Sequence, residues 1–182
     1  MMKKHALAGA VVLCGLSACA QTTTERLGLE PPVTVGDFDL ERYDGTWFEI
    51  GNYPNTFQQG CAGTTASYTI RENGEVGVLN TCTSNGSPNI AEGVARAVDL
   101  ENGKLEVSFF GPFFGAYWIV ELGEDDGPEG DYTHAVVTSP SRDFLWILSR
   151  TPQLDEALVD EIFVRLDAQG IDRERFVFTP QP

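Results

Sequence analysis

The sequence predicts an all-β domain finished by one late helix. Three observations carry this: eight short stretches rich in aromatic and β-branched residues, turn-forming residues between them at near-regular spacing, and a single four-residue apolar period near the C-terminus.

The strand-like stretches are residues 47–52, 64–71, 75–82, 91–100, 104–110, 116–122, 132–138 and 144–149. Glu72-Asn73-Gly74, Asn85-Gly86-Ser87-Pro88, Glu101-Asn102-Gly103, Asp125-Asp126-Gly127-Pro128 and Ser139-Pro140-Ser141 separate them, each offering residues that tolerate the backbone of a tight turn. Leu154, Leu158, Ile162 and Leu166 then recur every four residues with Phe163 alongside, while Asp155, Glu156, Asp160, Glu161 and Arg165 fall elsewhere. Pro152 suits the first turn of this helix and Gly170 its end, and its apolar stripe is expected to cover the outer face of a sheet. Phe176-Val177-Phe178 reads as a last short edge strand. Residues 37–182 thus form one domain, with no internal repeat. Strands of this kind bury a shared interior either as a sandwich or as a barrel. Composition leaves both open, although closure removes sheet edges and, at eight strands, leaves room for one small ligand.

The chain starts like an export signal: Lys3 and Lys4 precede an apolar run from Ala6 to Leu16 that is too short to span a bilayer. Leu16-Ser17-Ala18-Cys19 resembles the lipobox of bacterial lipoproteins, which implies cleavage after residue 18 and acylation of Cys19; the alternative is an ordinary signal cut near Ala18 or Ala20. Ala20, where the sorting pattern uses aspartate for inner-membrane retention, points to lipid anchoring in the outer membrane, facing the periplasm. Residues 19–36, with several threonines and Pro31-Pro32, read as a lipidated flexible tether. Of 12 basic and 27 acidic residues, only two lysines leave with the signal, so the mature chain carries a net charge of −17. Such a surface excludes nucleic acid as a partner and opposes docking on anionic lipid by electrostatics, which leaves the acyl chains as the membrane contact. With Cys14 removed and Cys19 acylated, Cys61 and Cys82 remain as an even pair in an exported chain, and a disulfide is expected. A turn centred on Asn73-Gly74 would set Cys82 opposite a residue nearer 65, so this bond requires a bulge or a bent strand.

Tyr43-Asp44-Gly45-Thr46-Trp47-Phe48-Glu49-Ile50, then Asn55-Thr56-Phe57, Thr65 to Tyr68, Val107 to Phe113, and Leu145-Trp146-Ile147-Leu148-Ser149-Arg150-Thr151-Pro152 resemble, in order and spacing, the lipocalins, in particular the bacterial lipoprotein members and their apolipoprotein D-like animal relatives. The similarity runs from about Phe38 to about Val177, with Gly130 departing from the family's Thr-Asp-Tyr before Asp131-Tyr132. It implies an eight-stranded antiparallel up-and-down barrel with the helix packed outside. It also implies that Arg150 packs over Trp47 to close the barrel floor.

With those two anchors inward, strand alternation puts Glu49 and Gly51 on the side of Trp47, and Leu148, Trp146 and Phe144 on the side of Arg150. By resemblance Tyr68, Asn80 and Phe109 also face the ligand; Tyr117 competes for that role with Trp118, its neighbour of opposite parity. The family's ligands suggest fatty acids or lysophospholipids, stored or transported in the cavity. The alternative is an envelope structural or chaperone-like lipoprotein with a largely filled barrel. Phe109, Phe110, Phe113 and Phe114 surround one turn, and either rim the mouth or pack inward.

No catalytic constellation, metal site or cofactor motif is expected. The mature chain has one histidine, His134, and no spacing of His and Cys suits zinc. Phosphate and dinucleotide loops are missing, and Glu49 lacks the second carboxylate that acid-base work requires; contact with Arg150 or a buried water is its expected role.

Overall fold

In the computed structural model, which describes Gly28, residues 30–124 and residues 130–182, eight strands close into one antiparallel ring. The export signal, Cys19 and the turn at Asp125-Asp126-Gly127-Pro128 lie outside these residues. A four-residue helix, α1 (Leu40–Tyr43), leads into β1 (Gly45–Asn52), followed by β2 (Cys61–Ile70), β3 (Val76–Ser84), β4 (Ser87–Asp99), β5 (Lys104–Phe110), β6 (Phe113–Glu124), β7 (Tyr132–Thr138) and β8 (Leu145–Ser149). Each strand pairs with the next, and Phe48 of β1 is opposite both Thr65 of β2 and Ser149 of β8, which shuts the ring. A ninth strand, β9 (Val177–Phe178), pairs with Gly51 and Asn52, where β1 has already parted from β2. Up-and-down order puts α1 and the connections 71–75 and 100–103 at one end. Connections 53–60, 85–86, 111–112 and 139–144 fall at the other, the mouth.

Two hairpins, β3–β4 and β5–β6, are tighter than the sequence suggests. Asn85 and Gly86 alone turn β3 into β4, both with positive φ (52° and 77°), so pairing continues through Ser84 and Ser87 and Pro88 sits within β4. Residues 61–63 also join β2, through a bulge between Ala62 and Thr65 at Gly63 (φ 62°). That bulge moves Cys61 toward Cys82, and the two form a disulfide across 5.5 Å of Cα separation.

Apolar side chains form two layers. One lies inside the ring; the other joins Ile50, Val136, Leu145 and Ile147 of the outer face to Val159, Ile162, Phe163 and Leu166 of the second helix, α2 (Glu156–Leu166). Asp155 caps α2 by accepting from the Ala157 amide, so Pro152 precedes the helix instead of occupying its first turn. The Arg165 guanidinium donates to Glu121 Oε1 (2.6 Å) and His134 Nε2 lies 3.6 Å from the same oxygen. Burial alone would raise the Glu121 carboxyl, but the His134 ring beside it and the hydrogen-bonded Arg165 guanidinium outweigh it and hold it below its ordinary range. His134 therefore belongs to the outer seam between barrel and helix; its ring covers Gly123, where an added Cβ would fall 2.0 Å from it.

The floor is aromatic. Trp47 is fully buried, donates its indole N–H to Tyr43 O (2.9 Å), and carries the Arg150 guanidinium 3.8 Å above its ring. Arg150 also donates to the carbonyls of Arg42, Asp44 and Thr46. Phe38 stacks on Tyr132 and meets Tyr43 edge-on beneath them. Above the floor three phenols form a chain, Tyr43 to Tyr117 (2.7 Å) and Tyr117 to Tyr68 (2.8 Å). Burial, reinforced at Tyr43 by Tyr68 and at Tyr117 by both neighbours, pushes all three hydroxyls up, Tyr68 to about 12.

Two expectations follow from these contacts. Removing the disulfide with Cys61→Ser/Cys82→Ser frees a loop of 21 residues. It should lower the unfolding free energy by about 3 kcal/mol in a denaturant titration; an unchanged midpoint would deny the bond a role in stability. The raised phenol pKa values mean that the folded state holds protons the unfolded chain has released. Their stabilisation is complete below pH 10 and is lost as pH rises through about 12. Phenolate absorbance from these three tyrosines should thus appear only with loss of the barrel's circular dichroism, and its appearance near pH 10 with the fold intact would contradict the buried chain.

Candidate functional site

Between the tyrosine chain and the mouth the interior is a cup. One wall is low because register places Ala66, Asn80 and Ala91 side by side on β2, β3 and β4, with Tyr68, Val78 and Gly93 in the next row. Phe109 lies across Gly93, where an added Cβ would come within 2.8 Å of the ring, so only glycine lets the phenylalanine settle there. Val107, Phe109, Tyr117 and Trp146 are only partly buried although they pack on the interior cluster, and Ala91 is exposed: the upper cup is open to solvent. Asn80 Oδ1 and Thr64 Oγ1 are buried and make no hydrogen bond within the protein. An unmet buried acceptor costs about 1–3 kcal/mol, so both oxygens are left with unused hydrogen-bonding capacity.

The rim has an apolar side and a polar one. Phe144 stacks on Trp146 (5.8 Å, 6° between planes), and Phe57 of the 53–60 connection leans on both. The Trp146 indole donates to Gln58 Oε1 (2.8 Å), and the Gln58 amide donates to Glu49 Oε2 (2.7 Å). Glu49 also accepts from Asn52 Nδ2 (2.7 Å) and from the Thr179 hydroxyl (2.5 Å). Three neutral donors thus satisfy a 3 % exposed carboxylate, and one of them, Gln58, links it to the cup's tryptophan. Against this node, outside the ring, a cleft of about 210 Å³ is lined in part by Asn52, Asn55, Gln58, Val177 and Thr179.

The structure thus brings Tyr68, Asn80, Phe109, Tyr117 and Trp146 to one interior, and of the competing pair it is Tyr117 that turns inward, while Trp118 meets Lys104 across the ring face (5.1 Å). Two expectations are corrected. Glu49 meets Asn52, Gln58 and Thr179 and not Arg150, whose guanidinium is committed at the floor. Gly51 does not share the inner face, because a register shift between Glu49 and Gly51 turns it outward against Phe176, whose ring would lie 2.4 Å from an added Cβ. The phenylalanine turn divides: Phe109 is inside, Phe114 lies under Arg96 (4.0 Å), and Phe110 and Phe113 are 83 % and 79 % exposed. Sequence reasoning missed Gln58, Asn52 and Thr179, none of which sits in a recognisable pattern. Among the described residues no group of three or more His, Cys, Asp or Glu is placed to hold a metal ion, and no helix is long and apolar enough to cross a membrane.

A family model described as a lipocalin-like domain matches residues 38–181. The chain is 36% identical over 168 residues to the outer membrane lipoprotein Blc of Escherichia coli K12, covering 91% of this chain and 89% of that protein. It is 35% identical to temperature-induced lipocalin-1 of Arabidopsis thaliana (87% and 86% covered) and 34% identical to apolipoprotein D of Macaca fascicularis (93% and 91%). The barrel superposes on insecticyanin of Manduca sexta with a TM-score of 0.65 at 24% identity, covering 85% of each chain, a likeness of fold. Outer membrane lipoproteins recur among the relatives, in Vibrio cholerae as in Escherichia coli, and locate this chain at the outer membrane. It is a binding protein and not an enzyme, with a barrel that takes small hydrophobic molecules. By sequence match and by architecture, this chain belongs to the lipocalin family.

Proposed function

We propose that the ligand is a single-chain lipid, a fatty acid or lysophospholipid, stored or carried in the cup with its tail toward the tyrosine chain and its head near the rim. One observation carries this reading: Val107, Phe109 and Trp146 face the interior yet keep solvent exposure, above a tyrosine hydroxyl chain and beside the hydrogen-bonding groups of the rim. A narrow cup of this kind accepts one acyl chain, and a few placed polar atoms orient it. We further propose that Cys19 is acylated, since several acyl chains anchor a protein stably where one holds it only marginally. Residues 1–18 are then the removed signal and the chain from Cys19 links the anchor to the barrel.

Native mass spectrometry of the Cys19→Ser chain, purified without detergent, should find one bound fatty acid or lysophospholipid. An empty barrel that also refuses added lipid would favour a structural or chaperone-like role. The same substitution should move the protein from the membrane fraction to the soluble fraction, and its persistence in membranes would overturn the acylation reading. Trp146→Ala should weaken uptake of a fluorescent fatty acid on the order of tenfold with the far-ultraviolet circular dichroism unchanged. Equal affinity would remove Trp146 from the ligand's path.

A further inference from the structure

We propose that the barrel is held with its mouth toward the bilayer that anchors it, and that the hairpin tip carrying Phe110 and Phe113 is its point of contact with lipid. This rests on the acylation of Cys19 proposed above.

The first observation is the route of the chain. The barrel begins at the closed end, where the Phe38 amide donates to Glu101 O, but the residues before it climb the outer wall. The Val35 amide donates to Ile119 O (3.0 Å), the Val33 amide to Gln169 Oε1 (2.7 Å), Pro32 is buried, and Glu30 O accepts from Arg142 Nη2. This stretch, read from sequence as tether, is bound to the wall. Arg142 belongs to connection 139–144 at the mouth; it is 3 % exposed, donates also to the carbonyls of Gln169 and Pro140, and its own carbonyl accepts from Arg175. A buried guanidinium tied to carbonyls is costly to withdraw, so the strap is fixed where it ends. The chain thus departs toward Cys19 from the mouth end. The eleven residue steps from Glu30 to Cys19 reach about 40 Å at most. With the mouth turned away, a run back along the wall would consume most of that reach.

The second observation is the distribution of charge. The four mouth connections hold one base, Arg142, and one acid, Asp143, and the segment 172–175 that bonds to them adds two of each, so this end carries no net charge. The closed end gathers Asp39, Glu41, Asp44, Glu72, Glu75 and Glu101 among other acids, which outnumber its bases Arg42, Arg71, Lys104 and Arg150. An anionic bilayer repels that end and leaves the mouth as the face of least repulsion.

The third is the tip itself. Phe110 and Phe113 are cross-strand partners on either side of Gly111-Pro112, with no charge between them, and Phe57, 61 % exposed, stands on the same rim. Exposed rings clustered at one end of an otherwise acidic molecule mark a contact with an apolar phase, and aromatic side chains suit the bilayer interface. A bilayer meets all three observations together: the anchor lies in it, its charge repels the opposite end, and its interface takes the rings.

The test uses the full chain, purified from membranes and reconstituted in vesicles of phosphatidylcholine and phosphatidylglycerol with bromine in the acyl chains. Phe113→Trp places a reporter at the tip and Leu100→Trp one at the closed end, each read against the parent's own tryptophans. The emission added by Phe113→Trp should be quenched by brominated lipid, and that added by Leu100→Trp should not. Equal quenching at both positions, or none at the tip, in a protein that sediments with the vesicles overturns the orientation and leaves the anchor standing. Blue-shifted but unquenched emission at the tip would assign the rings to a second copy of the chain, and also overturns it. Failure to sediment with the vesicles removes the anchor and the orientation with it.

Discussion

The guanidinium of Arg150, lying 3.8 Å over Trp47, is the contact on which the rest of the architecture depends. These residues sit at the seam of the ring, one at the start of β1 and the other just past the end of β8. A helix of four residues satisfies few of its own carbonyls, and Arg150 takes those of Arg42 and Asp44 as well as Thr46 of β1. One side chain thus terminates α1, joins the last strand to the first and covers the indole that plugs the barrel. Lysine could not replace it, because the task needs a planar cation that stacks and donates in several directions at once.

Given that seam, β1 does two jobs along its length. Its lower half pairs with β2 and shuts the ring. Past the register shift at Glu49 its upper half pairs with β8 and takes β9 where β2 has left. The parting of β1 from β2 opens the space in which Glu49, Asn52, Gln58 and Thr179 meet. A carboxylate at that depth is tolerable only because each oxygen has donors, and its bond to Gln58 transmits the arrangement to Trp146 in the cup. The disulfide lies at the same end, where Cys61 begins β2. The mouth is therefore tied by covalent and polar links, and the floor by stacked rings.

This polarity of construction suits a protein that binds small hydrophobic molecules at the outer membrane. The closed end is acidic and aromatic only within, and the open end has balanced charge and displays phenylalanines. On the proposed reading a hydrophobic guest would enter at the open end and stop at the tyrosine hydroxyls, which are already engaged with one another.

The strand count, most of the described turns, the amphipathic helix and the disulfide pair were legible in the sequence, because each depends on local periodicity or on residue types whose chemistry is local. Trp47 and Arg150 were legible as a pair through family resemblance, and with them the parity that turns Leu148 and Trp146 inward. Alternation failed at Gly51 because one bulge in β1 reverses every later side chain, and a bulge is set by what the partner strands demand. Two further features belong to tertiary structure alone. Glu49 finds its donors on segments 9 and 130 residues away, and the stretch before Phe38 becomes a strap because Arg142, 112 residues later, meets its carbonyl. Hydrogen bonds between segments so far apart leave no trace in local composition: the sequence by itself determined which elements form and what class of interior they enclose, while only the closed ring decided which polar groups meet and which end of the barrel the chain leaves.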